Sequence, residues 1–78
     1  MKNKVLEIKS MQKDDLEAVV QIERSVFPDP WSYSMFSEQL DLPQIYSLVI
    51  AKIENSVVGY SGFLRIRDEG HITNLAIK

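Results

Sequence analysis

Residues 46–78 read YSLVIAKIENSVVGYSGFLRIRDEGHITNLAIK, and their periodicity decides the fold. Tyr46 to Ile53 is rich in Tyr, Leu, Val and Ile with a period of two, the pattern of a strand. Glu54 to Ser56 forms a turn, where Asn55 tolerates the left-handed backbone that such turns use. Val57 to Arg67 is a long second strand. Val58, Tyr60, Leu64 and Ile66 line one of its faces, and Ser61, Arg65 and Arg67 the other. Gly59 and Gly62 weaken it or mark the close approach of another backbone. Asp68 to Gly70 makes a further turn, and His71 to Lys78 is the last strand. Three strands joined by short turns predict an antiparallel meander.

Upstream, the period changes. Val5, Leu6 and Ile8 form a short first strand, with Lys9 and Ser10 leading out of it. Lys13 to Val26 predicts a helix, because Leu16, Val19, Val20, Ile22 and Val26 recur at helical spacing. Asp14, Asp15 and Glu17 suit the positive end of its dipole, although Gln12 is a mediocre N-cap. Pro28 and Pro30 break that helix. Ser32 is a good N-cap for a second, shorter helix reaching Leu40, and Pro43 closes it off. The expected class is α+β, in the order β-α-α-β-β-β with an antiparallel sheet.

Composition narrows the function classes. Seventy-eight residues suffice for one small domain, which buries only a little over ~60% of the surface its unfolded chain exposes. There is no cysteine and one histidine, His71, so disulfides are excluded and a structural zinc site is not expected. A net charge of -2 argues against unspecific nucleic-acid binding, which needs a basic surface. The longest apolar runs, such as Leu48 to Ala51, are too short to cross a bilayer, and MKNKVLEIKS lacks the apolar core of a signal peptide. The expected location is cytoplasmic, without membrane or direct nucleic-acid partners.

Three stretches carry a resemblance: DDLEAVVQIERSVF (14–27), FPDPWSYSMF (27–36) and VVGYSGFLRIRDEGHITNLAIK (57–78). Together they resemble the N-terminal half of a GNAT-superfamily N-acetyltransferase, and within that superfamily the bacterial ribosomal-protein-alanine N-acetyltransferases. The first matches the family's opening helix with its Ile-Glu pair, the second its Phe-x-x-Pro-Trp-Ser loop, and the third its third and fourth strands. The Pro-Trp-Ser loop after an Ile-Glu helix is the most specific of these. The resemblance implies a truncated GNAT fold over residues 1–78. In the family, an Arg/Gln-x-x-Gly-x-Gly/Ala loop follows the fourth strand and binds the pyrophosphate of coenzyme A through helix N-terminal amides. That loop and the family's late catalytic Glu and Tyr have no counterpart in these 78 residues.

What the resemblance implies for chemistry is transfer of acetyl from acetyl-CoA to the N-terminal amine of a ribosomal protein or similar peptide. A terminal amine has a pKa near ~7.7–8.0, so deprotonation asks little of a base, and positioning and oxyanion stabilisation dominate. In the family, the pantetheine arm of the cofactor adds along the fourth strand, where a bulge redirects backbone groups. The matching positions are Leu75, Ala76 and Ile77, acting through backbone. By periodicity alone the same residues are a buried strand. Glu23 lies within the apolar stripe of the first helix; it is either a boundary or ion-paired residue, or a recognition group for the substrate's amine or backbone. Phe27, Pro30 and Trp31 are either the apolar wall of a peptide groove or a plug over the sheet. Glu69 sits where some GNAT enzymes hold a base, and is otherwise a solvated turn residue. His71 reads as a surface or packed histidine. Arg65 and Arg67 suit a solvated face or an acidic partner.

Two functional expectations follow. The first is part of an acetyltransferase that is inactive as these 78 residues alone. The second is a non-catalytic association module, homodimerising through its exposed C-terminal strand. A shortened gene product with no role of its own is a third reading.

Overall fold

The computed structural model describes residues 5–66 and 69–77, apart from the side chains of 66, 69–71 and 74. Strand β1 (Leu6–Ser10) leads through a 3-10 turn (Lys13–Asp15) into helix α1 (Leu16–Val26). Helix α2 (Tyr33–Leu40) and strands β2 (Tyr46–Ile53), β3 (Ser56–Ile66) and β4 (Glu69–Ile77) follow. The four strands form one sheet in the order β1-β2-β3-β4, every pair antiparallel. The expected α+β order is thus observed.

Local signals account for most boundaries. The Ser32 hydroxyl accepts from the Met35 N–H and starts α2, as an N-cap serine should. Gln12 is the N-cap of the 3-10 turn that leads into α1, as expected, and Asp15 closes a capping box on it: the Asp15 carboxylate accepts from the Gln12 N–H at 2.8 Å. Asp15 also meets Lys52 at 3.4 Å, tying the head of α1 to the end of β2. Between β2 and β3, Glu54 and Asn55 both have positive φ (50° and 67°), the backbone of a two-residue hairpin whose twist matches its strands.

Two expectations need correction. β1 does not end at Ile8. Lys9 and Ser10 pair with Ile50 and Val49, because the ladder of a central strand is satisfied by backbone whatever the edge side chains are. Glu69 and Gly70 are not a turn: they open β4 opposite Ile66 and Arg65. Ser61 lies on the face opposite Tyr60, as expected, and is buried there. Small and flanked by Val49 and Leu75 on the neighbouring strands, it sits below the tips of its neighbours.

Both helices cover one face of the sheet. α1 lies over β3 and β4, and α2 over β2. The α1 stripe of Leu16, Val19, Val20 and Ile22 joins Met11, Phe36, Leu48, Ile50, Tyr60 and Ala76 in the core. Register explains the sheet's share: Tyr60 lies between Ile50 and Ala76 on the helix-covered side. No described helix is long and apolar enough to cross a membrane.

Gly59 marks a close approach of β3 and β4. A Cβ there would stand 3.0 Å from the Ala76 carbonyl oxygen, so the two strands must part slightly to admit it. Overpacking costs ~1–3 kcal/mol, while replacing glycine gains ~0.4–1 kcal/mol from the unfolded chain. The expected net effect of Gly59→Ala is a loss of about 1 kcal/mol, read as a lower urea midpoint. A gain in stability would show that β4 yields without cost.

Candidate functional site

The Phe27–Ser32 loop is held down from below. Glu23, in the last turn of α1, is only 3% exposed. Its carboxylate accepts from the Trp31 N–H at 2.9 Å and from the Tyr60 hydroxyl. One buried side chain therefore joins α1, the loop and β3. Phe27 turns to extended backbone (φ -111°, ψ 137°) as α1 ends, and the two prolines keep the chain from continuing the helix. The Trp31 ring packs on Phe36 at 5.4 Å, and Phe36 meets Tyr60 edge-on at 5.6 Å. Such tilted pairs satisfy the ring quadrupoles and set the loop's height above the sheet.

Between this loop and β4 lies a groove of about 460 Å³. Phe27, Pro28, Asp29 and Trp31 form one wall, Thr73 and Leu75 the other, and Glu23 the floor. Its β4 wall is irregular. Gly62 pairs with Asn74 but Phe63 pairs with Ile72, which leaves Thr73 as an extra residue, a bulge. β4 is also an edge of the sheet.

The predicted residues divide accordingly. Glu23, Phe27, Trp31 and Leu75 are brought together around the groove. Pro30 is half-buried in the loop and does not line it. Ala76 turns into the core, and Ile77 is exposed on the other side of the sheet, so these two reach the edge of β4 through backbone only. Glu69 opens β4, four residues before the bulge; its side chain, like that of His71, lies outside the described residues, as does Arg67. Arg65 is exposed at the end of β3, beside a different groove formed with Gln39 and Tyr46. Among the described residues no cluster of three or more His, Cys, Asp or Glu could hold a metal ion.

Sequence reasoning missed Pro28, Asp29, Thr73 and the Tyr60 hydroxyl. For Thr73 a signal existed. Ile72, Leu75 and Ile77 share one face of the sheet, and the step of three between the first two is a break in the period of two.

No family model matches the chain. It is 38% identical over 72 residues, 91% of its length, to a Bacillus subtilis (strain 168) protein provisionally named ribosomal protein bS18-alanine N-acetyltransferase. It spans about half (47%) of that relative. The crystal structure of the Escherichia coli ribosomal-protein-S18-alanine N-acetyltransferase superposes with a TM-score of 0.81 at 22% identity, over 94% of this chain and 46% of that one. The PaiA N-acetyltransferase of Thermoplasma acidophilum, solved with coenzyme A, gives 0.83 at 14% identity, over 95% and 59%. The chain therefore resembles the GNAT-superfamily N-acetyltransferases, and the described residues have their fold.

Proposed function

We propose that this chain is the acceptor-peptide side of an acetyltransferase that moves acetyl from acetyl-CoA to the N-terminal alanine amine of a ribosomal protein, the reaction its relatives are named for. The observation that carries this is the groove under the Phe27–Trp31 loop, which opens against β4 at its bulge. The edge of β4 suits the cofactor as well: an extended arm can add to an edge strand through main-chain hydrogen bonds, and Leu75, Ala76 and Ile77 supply that backbone. Acetyl-CoA, when bound, supplies an acyl group activated as a thioester.

The chain's own residues would do the positioning. Phe27 and Trp31 offer apolar walls to a small N-terminal side chain. Asp29, exposed at the rim, offers a carboxylate to the ammonium that precedes deprotonation. Glu23, with both oxygens engaged by Trp31 and Tyr60, is a positioning residue that fixes the loop. Orientation of this kind lowers the barrier mainly through entropy. The 78 residues alone hold no counterpart of the family's phosphate loop and are expected not to turn over.

Two titrations test the reading. An alanine-initiated bS18 peptide, added to the labelled chain, should shift amides near residues 27–31 and 73–75, and its N-acetylated form should do so more weakly. Shifts confined to other surfaces, or equal shifts from both peptides, would count against the groove. Calorimetry with acetyl-CoA should show no micromolar binding; micromolar affinity would overturn the inactivity of the isolated chain.

A further inference from the structure

Among the described residues, three polar side chains line the groove under the Phe27–Ser32 loop: Glu23, Asp29 and Thr73. Glu23 has both oxygens taken by the Trp31 N–H and the Tyr60 hydroxyl. Asp29 stands exposed on the loop side. Thr73 is half-buried on the β4 side, where the described lining otherwise offers only the alkyl group of Leu75. It is also the extra residue of the β4 bulge, between Ile72 opposite Phe63 and Asn74 opposite Gly62. Bulges re-aim side chains and gather beside active sites.

We infer that the Thr73 hydroxyl holds the acceptor's N-terminal amine, accepting one of its N–H bonds and fixing it on the β4 side of the groove. The inference rests on the groove being the acceptor site, as proposed above. Charge separates Thr73 from the two carboxylates. An anion beside an amine favours the ammonium form, which has no lone pair to attack with. A neutral hydroxyl accepts from an N–H without that bias. It has one donor and two acceptor lone pairs, so a bond that it donates within the protein leaves it able to accept. Place adds to chemistry. Asp29 lies on the loop wall, whereas Thr73 belongs to the strand whose edge suits the cofactor. An amine passed from Asp29 to Thr73 moves from the rim toward that edge. Thr73 keeps its own proton throughout, and no bond to it forms or breaks.

A β-branched residue also fits a strand by shape alone, a role that valine would fill equally well, and the experiment separates the two. Trp31 is the chain's single tryptophan and lines the groove, so its fluorescence reports occupancy. Two versions of the bS18 peptide are titrated into the 78-residue chain at about pH 8.5, where much of a terminal amine is neutral. One begins with alanine. In the other a propionyl group replaces the alanyl group, keeping its methyl and carbonyl and lacking only the amine.

Wild type should prefer the alanyl peptide. Thr73→Val should reduce that preference by roughly threefold or more, the share of one neutral hydrogen bond, with the affinity for the propionyl peptide unchanged. Thr73→Ser should restore it. Thr73→Ala repeats the test without a methyl in the hydroxyl's place, and circular dichroism checks that each variant is folded. An undiminished preference in Thr73→Val and Thr73→Ala would overturn the inference and leave the groove as the acceptor site. An equal loss in Thr73→Ser would overturn it too, because it marks a packing role. No preference in wild type would overturn the acceptor site itself, and this inference with it.

Discussion

Phe36→Ala is expected to unfold most of the protein at 25 °C. Phe36 is fully buried and is the joint between the loop and the sheet, with Trp31 on one side and Tyr60 on the other. Truncating a buried phenylalanine costs ~3–5 kcal/mol through lost transfer energy and a residual cavity. Two ring pairs, each adding about 0.5–1.5 kcal/mol, disappear with it. A chain of this length has only about 4–12 kcal/mol in total. Relaxation offers little relief, because Leu16 and Ile50 of the same core are themselves fully buried. The measurement is urea unfolding followed by Trp31 fluorescence and circular dichroism. Loss of less than about 1 kcal/mol would mean the ring is not a core element. Phe36→Leu, which keeps most of the volume, should fall in between and preserve a measurable transition.

How far the fold was legible depends on how local each signal is. β2 was bounded to the residue, since alternation and flanking turn residues suffice for a half-buried strand. α2 was bounded well too, because Ser32 and Pro43 punctuate it within its own segment. β1 was cut short at Ile8 because its last two residues owe their structure to the backbone of β2, some forty positions away. The positive φ at Glu54 followed from the hairpin's geometry and not from the glutamate. The burial of Ser61 depends on the side chains that β2 and β4 place beside it, which its own strand cannot reveal.

The site shows the same division. Phe27 and Trp31 were visible because two prolines after an amphipathic helix make a loop, and aromatic residues in such a loop must either pack or bind. Glu23 was visible only as an anomaly, an acid inside an apolar stripe. Its partners lie 8 and 37 residues away, so its role could not be read from helical spacing. The structure places it on the floor of the groove and also makes it a strut.

Glu23 therefore yields the second large effect. Glu23→Ala removes the acceptor for two donors, the Trp31 N–H and the Tyr60 hydroxyl. A buried donor left without a partner costs ~1–3 kcal/mol, so a loss of about 3 kcal/mol or more is expected, with the loop released from the sheet. Glu23→Gln separates charge from geometry. Its amide oxygen can still accept from Trp31, and its NH₂ can donate to the Tyr60 oxygen if the hydroxyl turns away, so about 1 kcal/mol is expected. Tyr60→Phe removes one donor and leaves the carboxylate buried with less support; a charge-assisted bond of this kind contributes ~1.5–3 kcal/mol. Combining Glu23→Gln with Tyr60→Phe should cost less than the sum of the two, by at least ~0.5 kcal/mol, as contacting residues do. A boundary residue or solvated ion pair predicts something different: changes within about 0.5 kcal/mol for either Glu23 variant, and strict additivity with Tyr60. The peptide titration then connects stability to function. If Glu23 holds the loop, Glu23→Gln should retain most of the shift at residues 27–31 and Tyr60→Phe should lose part of it, although Tyr60 does not line the groove. Equal peptide shifts in wild type and Tyr60→Phe would leave Glu23 as a stabilising strut with no part in shaping the groove.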